Sequence, residues 1–236
     1  MGWAAFGKHP VSKDFVALGK AGGVAERILA WVEGGYERYL REAAGALHAP
    51  CSWRFVCRGD AFGGIVWGLV RDSCDSVGRT FPLAVVIPGR AARWDSNWVE
   101  TALGLEGSWS RVEFACSRTY SALPEMEEAL DAACGWDGPP PAEAHPRAGQ
   151  AGARSPVVHT GGMYTVRLGC GAGDREELVH ALEDIRRSAS RPPEAVFMGG
   201  SYDAAEVAAF ERGLVERDFV RLWNVCAGGK VCAGAP

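Results

Sequence analysis

The sequence lacks several features that would place a chain of 236 residues in a common functional class. There is no basic excess, because 25 Lys and Arg stand against 29 Asp and Glu and the formal net charge is -4. Without clustered positive charge to neutralise a phosphate backbone, we expect no nucleic-acid partner. No stretch approaches the roughly 18 uninterrupted apolar residues of a membrane-spanning helix. The N-terminus also lacks the pattern of a secretion signal, so we expect a cytoplasmic protein with no integral membrane segment.

Cysteine is present, but it lacks the spacing of a metal site. The sequence contains no CxxC pair and no cluster of cysteine with histidine, and its two Cys-x5-Cys pairs fit no standard zinc pattern. A cytosolic compartment keeps thiols reduced. We therefore predict eight unpaired cysteines, no bound metal and no cofactor. The cysteines are Cys51, Cys57, Cys74, Cys116, Cys134, Cys170, Cys226 and Cys232.

The hydrophobic pattern of the first hundred residues predicts the fold class. Apolar residues recur at three- and four-residue steps from Val24 to Leu47, which predicts the longest amphipathic helix. Apolar segments at 52–58, 64–71 and 80–88 are predicted strands, and their connections are too short for a crossover helix. We therefore predict an α/β chain of the α+β type, with a mainly antiparallel central sheet flanked by helices.

The same patterns assign the remaining segments. Residues 135–156 are rich in Pro, Gly and Ala without periodicity, which predicts a flexible loop. Gly161-Gly162, between two alternating runs, predicts a tight hairpin turn. The other predictions are a strand at 3–8 with a loop after it, helices at 95–110, 122–134 and 174–189, a strand at 195–201, and a last helix around 206–223.

Ser201 is the best candidate for a catalytic nucleophile. It follows a predicted strand and precedes a predicted helix, as in a nucleophile elbow, but the second glycine of G-x-S-x-G is missing. His159 and His180 could serve as bases, yet nothing in the sequence connects either one to Ser201. The sequence therefore favours a binding module over an enzyme, and a serine hydrolase using Ser201 is the alternative.

Two tryptophans offer a possible interaction surface. Trp94 and Trp98 are four residues apart, beside polar Asp95 and Asn97. Tryptophan is enriched in interface hot spots, but it also fills cores. We expect core positions, with an exposed interaction edge as the alternative.

Arg79 stands at the entrance of the third strand, in the run DSVGRTFPLAVVIPG. Gly78 frees the backbone for a sharp turn, and Pro82 tolerates only the start or edge of a strand. A guanidinium carried inward at this point requires a carboxylate or carbonyl partner. We expect Arg79 to be a structural clamp that pairs with Asp75 or Asp14.

Three spaced segments of the first half carry a family resemblance: FGKHPVSKDFV, PCSWRFVCRGD and SCDSVGRTFPL. In this order they resemble the TagF family, accessory proteins of bacterial type VI secretion. The second half matches more loosely, since Phe197-Met198 stand where the family has two tryptophans and Val215 replaces a proline. The matching positions are Phe6, Gly7, Lys8, Pro10, Asp14, Phe15, Trp53, Arg54, Phe55, Ser73, Asp75, Gly78, Arg79, Phe81, Pro82, Leu83, Gly200, Ser201, Gly213, Leu214, Phe219 and Leu222.

The resemblance implies a single TagF-like domain over 1–236 that acts as a cytoplasmic regulator. Such a protein holds secretion off after translation by binding a forkhead-associated scaffold protein, in a pathway run by a Ser/Thr kinase and phosphatase. No catalytic residue is implied. A structural component of the secretion baseplate is the alternative within the binding class. The candidate binding or structural residues are Phe6, Lys8, Asp14, Phe15, Trp53, Asp75, Gly78, Arg79, Phe81 and Pro82.

Overall fold

The computed structural model describes residues 2–42, 49–60, 63–91, 93–135, 155–169 and 175–227. Its strands are β1 Ala4–Gly7, β2 Val16–Gly19, β3 Ser52–Arg58, β4 Gly64–Arg71, β5 Leu83–Arg90, β6 Val158–Thr160, β7 Met163–Leu168, β8 Ala195–Gly200 and β9 Ala205–Phe210. Its helices are α1 Val24–Glu42, α2 Trp94–Gly104, α3 Glu106–Ser117, α4 Leu123–Cys134, α5 Arg175–Ser188 and α6 Glu216–Ala227. The loop predicted over 135–156 lies outside the described residues except at its two ends.

The nine strands of the described residues join one sheet in the order β2-β1-β5-β4-β3-β8-β9-β7-β6. Every pair of neighbours in this sheet is antiparallel. The predicted meander is present, because β4 pairs with both β3 and β5. The predicted α+β class with an antiparallel sheet flanked by helices is therefore confirmed.

Helices cover both faces of the sheet and bury two apolar layers. On one face, Val32 of α1 and Phe219 of α6 pack with Phe55 of β3. The other face is covered by α2 to α5, and Trp109 of α3 and Leu182 of α5 lie in its core. The glycine pair inside α1 has a structural reason on the first face. A Cβ on Gly35 would lie 2.4 Å from the Cβ of Phe219, so glycine lets α1 and α6 approach closely.

The structure corrects three of the segment assignments. The single helix predicted over 95–110 is two helices, α2 and α3, which meet at Leu105. Residues 205–210 form strand β9, where a helix was predicted. This strand lies between β8 and β7 and is buried on both faces, so its pairing outweighs the helix propensity of its three alanines. Strand β2 lies in a segment that was predicted to be a loop, where buried Val16 and Leu18 alternate with exposed Ala17 and Gly19.

Trp94 and Trp98 are core residues. Their exposed fractions are 4% and 3%, and Trp94 Nε1 donates a hydrogen bond of 2.8 Å to the carbonyl of Pro193. The exposed interaction edge is therefore absent at this pair.

The prediction of eight unpaired cysteines is wrong for one pair, because Cys51 and Cys226 form a disulfide. Cys51 immediately precedes β3 and Cys226 lies in the last turn of α6, and their Cα atoms are 5.9 Å apart. They are 175 positions apart in the chain, so only the fold brings them together. The other cysteines in the described ranges are unpaired: Cys57, Cys74, Cys116 and Cys134. Cys170 and Cys232 lie outside those ranges.

Candidate functional site

Two loops of the family motifs meet at one end of the sheet. Residues 8–15 connect β1 to β2, and residues 72–82 connect β4 to β5. Because β1 pairs antiparallel with β5, the end of β1 lies beside the start of β5. The backbone N–H of Ser76 donates to the carbonyl of Ser12 at 2.9 Å, and the Arg79 guanidinium donates to the carbonyl of Lys13. The two loops therefore form one surface.

The buried carboxylate of Asp75 holds this surface together. Its Oδ2 accepts hydrogen bonds from Lys8 Nζ at 2.8 Å and from Arg79 Nε at 2.7 Å. Its Oδ1 accepts from the backbone N–H groups of Val77 at 3.1 Å and Arg79 at 2.9 Å. Burial alone would raise the pKa of Asp75, but the hydrogen bonds from Lys8, Arg79 and Val77 outweigh it and hold the pKa well below its usual range. We call Asp75, Lys8 and Arg79 the carboxylate hub.

The turn after Asp75 places its backbone donors. Gly78 has φ +87°, in the left-handed region that favours glycine. Its N–H donates to the carbonyl of Asp75 at 3.0 Å, and the N–H of Asp75 donates to the carbonyl of Arg79 at 3.0 Å. The tight turn bends the chain back so that the N–H groups of residues 77 and 79 both point at one carboxylate oxygen.

An aromatic cluster lies beside the hub. The ring of Phe15 stacks on Phe6 at 5.4 Å between centroids and meets Phe81 edge-on at 4.9 Å. Lys8 Nζ lies 5.3 Å from the centroid of the Phe15 ring, so the same ammonium contacts the hub and the cluster. Tyr36 of α1 meets Phe81 from behind at 5.1 Å. We call Phe6, Phe15 and Phe81 the aromatic cluster.

The structure places two cations beside Asp75, and only one of them was predicted from the sequence. Arg79 pairs with Asp75 as predicted, and its side chain is 60% exposed, so the guanidinium is not carried inward. The buried cation is Lys8, whose side chain is 8% exposed. Its partner is 67 positions away in sequence, and no local pattern indicates such a pair. Asp14 is exposed and does not take the role of clamp partner, since its Oδ1 accepts from the N–H of Phe15 and the Arg79 contact in this loop is the Lys13 carbonyl.

The remaining motif residues support the backbone. Trp53 is 1% exposed in the core of β3, and its Nε1 donates to Cys51 Sγ at 3.2 Å, so it lies apart from the hub. Pro82 is buried directly before β5. A Cβ on Gly7 would lie 2.0 Å from the carbonyl oxygen of Pro82, so only glycine allows β1 to lie this close.

His9 is a site residue that sequence reasoning missed. It is 2% exposed, and its Nδ1 accepts from the backbone N–H of Val11 at 3.2 Å. Burial lowers its pKa, although hydrogen bonding to the backbone of Cys116 and Arg118 opposes the change. The neutral ring therefore fastens the first motif loop to the end of α3. Its position beside Lys8 in the motif is the only signal in the sequence.

The hub and the cluster together make a rigid base with exposed features. The polar groups of Asp75 are paired, which makes the hub a structural support. Above it, Phe15 is 44% exposed and Val77 is 60% exposed, next to the exposed side of Arg79. Exposed apolar side chains beside a fixed cation are suited to recognising another protein.

Ser201 lacks the setting of a nucleophile elbow. It lies in the turn between β8 and β9, so a strand follows it and no helix begins there. Its Oγ accepts a hydrogen bond from the N–H of Ala204 at 3.2 Å, which closes the turn. Among the described residues, His159 stacks on Tyr164 and His180 lies near Glu176, and neither is hydrogen-bonded to Ser201.

Within the described ranges, no group of three His, Cys, Asp or Glu residues is placed to hold a metal ion. No helix in the described part of the chain is long and apolar enough to cross a membrane.

The fold is an antiparallel sheet covered by helices on both faces, and the segments of the family resemblance meet at one end of it. Residues 4–133 match the family described as the TagF N-terminal domain, type VI secretion system-associated, and the chain belongs to this family. It is therefore a type VI secretion-associated accessory protein. No curated protein sequence matches the chain.

A solved structure supports the fold over the whole length. The crystal structure of PA0076 from Pseudomonas aeruginosa PAO1 is similar over 99% of this chain and 98% of that chain. The sequence identity is 21% and the TM-score is 0.57. The structural likeness extends beyond residue 133. The C-terminal half, whose motifs match the family less well, therefore shares the same architecture.

Proposed function

We propose that this chain is a cytoplasmic repressor of type VI secretion, which acts after translation by binding a forkhead-associated scaffold protein. Membership of a secretion-associated accessory family supports a role within that system. The observation that carries the binding surface is Phe15, which stays 44% exposed while its ring is held by Phe6, Phe81 and the ammonium of Lys8.

A fixed and exposed aromatic ring is an efficient anchor for a partner. Ordering a free side chain at an interface costs about 0.5–1.5 kcal/mol, and the stacking around Phe15 has already met this cost in the free protein. The hub supplies the rigidity, because Lys8 is fixed by Asp75 before any partner arrives. Phe15, Val77 and Arg79 therefore form the proposed contact surface.

A single substitution with a matched control tests this surface. Phe15→Ala is expected to weaken binding of the purified scaffold protein at least tenfold, the loss expected of an interface hot spot of about 2 kcal/mol. Phe114→Ala is the control, because Phe114 is 67% exposed on α3, outside the motif loops. Calorimetric titration of both variants, each checked by its melting temperature, decides the result. Equal affinities for Phe15→Ala and wild type would remove the surface from the proposal.

Deletion of the gene in the native host separates repression from assembly. Loss of a repressor raises secretion, whereas loss of a baseplate component abolishes it. The Phe15→Ala variant should reproduce the deletion while its cellular amount stays normal. Abolished secretion in the deletion strain would establish the structural alternative.

A further inference from the structure

An open groove of about 580 Å³ runs between helix α1 and the β1–β2 end of the sheet. Its floor is made of small residues, including Ala4, Ala17 and Gly19, and Ala30 contributes from the helix. Ala17, Gly19 and Ala30 are exposed. Because these residues carry so little side chain, the end of the sheet remains uncovered on the face where α1 and α6 pack.

The groove is continuous with the aromatic cluster. Phe6 lines the groove and also stacks on Phe15 at 5.4 Å. Further along α1, Tyr36 contacts Phe81 of the same cluster. A segment that binds across Phe15 can therefore continue into the groove.

Two acidic side chains line the helix wall of the groove. Glu26 and Glu33 are exposed and seven residues apart, about two helical turns, so they lie on one side of α1. Neither forms an ion pair within the described part of the chain. By contrast, Glu42 pairs with Arg38 at 2.7 Å on the same helix. The only basic side chain on the groove lining is Lys20, at the end of β2, and the described residues offer it no ion pair either.

We propose that this groove binds a basic, partly apolar segment of the forkhead-associated scaffold protein. The inference rests on the proposed function and extends its surface beyond the motif loops. Apolar side chains of the segment fill the space above the alanine floor, and a lysine or arginine faces Glu26 and Glu33. Opposite charges across a rim raise the association rate and set the direction of the bound segment.

Two groove variants and one control test the proposal. Glu33→Lys is expected to weaken scaffold binding about tenfold and to flatten its salt dependence, because an attraction becomes a repulsion. Glu37→Lys makes the same change of charge on the same helix, at an exposed residue outside the groove lining, and should change affinity less than about twofold. Ala30→Trp fills the groove from an exposed helical position and should weaken binding at least tenfold. Melting curves of all three variants confirm the fold.

Calorimetric titrations with the scaffold protein, at about 50 mM and about 200 mM salt, read out these variants. Peptides tiled along the scaffold sequence form a second readout, and the segment that binds wild type but not Ala30→Trp should carry net positive charge. Sensitivity to Phe15→Ala without sensitivity to the groove variants would overturn the groove and leave the proposed function intact. Failure of the scaffold to bind wild type would overturn both. A groove-dependent peptide of net negative charge would overturn the assigned chemistry.

Discussion

Two carboxylates of this protein are buried to nearly the same extent but have opposite pKa shifts. The side chain of Asp75 is 0% exposed and that of Glu206, in β9, is 3% exposed. The pKa of Asp75 is lowered by the donors around it, whereas burial raises the pKa of Glu206 despite the nearby Arg221. Burial therefore does not decide the charge of a buried acid, and the donors around it do.

Local structure explains why the donors differ. Asp75 lies in a turn, where the N–H groups of Val77 and Arg79 are free to bind a side chain. Glu206 lies in a strand paired on both sides, with backbone groups committed to β7 and β8. Its main cation is the partly exposed Arg221, whose Nη1 lies 3.2 Å from Oε1. The turn therefore supplies Asp75 with enough donors to stay charged. The strand supplies no free backbone donor to Glu206, so its charge is poorly compensated.

The largest difference between the two acids should appear on neutralisation. Asp75→Asn should lower the melting temperature by roughly 10 °C, because the amide cannot replace the charge and leaves buried Lys8 unpaired. Glu206→Gln should leave it unchanged or raise it slightly at pH 7, since glutamine resembles the protonated form that burial favours. Differential scanning calorimetry of both variants measures this contrast. Similar losses in the two would show that the hub has no special stability.

Reduction of the disulfide should have the next largest effect. Two hydrogen bonds connect Asp72, in the same loop as Asp75, to Cys51. The backbone N–H of Asp72 donates to the Cys51 carbonyl at 2.8 Å, and the side-chain Oδ2 of Asp72 accepts from the Cys51 N–H at 2.7 Å. Removing a link across 175 positions should cost about 2–5 kcal/mol. Denaturant unfolding with and without reductant measures the loss.

The double variant Cys51→Ala/Cys226→Ala is the control for this prediction, because it should not respond to reductant. Thiol counting under denaturation should find two fewer thiols without reductant than with it. A reducing compartment favours the thiol form, so the less stable state is the one expected there. Equal stability in both states would contradict the predicted support of the Asp75 loop.

The contrast also shows what could be predicted from the sequence. Strands 52–58 and 64–71 were predicted with correct bounds, because apolar runs between short turns leave few alternatives. The Arg79–Asp75 pair could be predicted because the two residues are four apart on one turn. The Lys8–Asp75 and Cys51–Cys226 pairs could not be predicted, since only the folded arrangement brings those segments together. Strand β9 was missed because local propensity favours a helix and its two neighbours decide otherwise.

A fall in pH should change the stability contributions of Asp75 and Glu206 in opposite directions. The pKa of Asp75 is lower in the folded protein than its value of about 3.9 in the unfolded chain. The stability that Asp75 contributes is therefore complete above about pH 3.9, and it declines as the pH falls towards the pKa of the folded state. Asp75→Asn should therefore flatten the decline of melting temperature between about pH 5 and pH 3. For Glu206 the pKa is raised, so its contribution is complete below the unfolded pKa of about 4.3 and is lost as pH rises through the folded value. A decline that is equally steep in wild type and Asp75→Asn would assign acid sensitivity to other groups.

The smallest effects should come from the arginine partners, and both should shrink in acid, over different pH ranges. Arg79→Ala should lower the melting temperature by only about 2–4 °C, because its side chain is 60% exposed and Lys8 and two backbone N–H groups still hold Asp75. Its loss should be fully present at pH 7 and shrink in acid as Asp75 becomes protonated. Arg221→Ala removes the cation beside Glu206, and its loss should also shrink as pH falls, but at a higher pH than for Arg79→Ala, because the pKa of Glu206 is raised and that of Asp75 is lowered. If Arg79 also contacts the scaffold, Arg79→Ala will weaken binding by more than this small loss of stability explains. Unchanged binding with a loss well above 4 °C would make Arg79 a structural clamp alone.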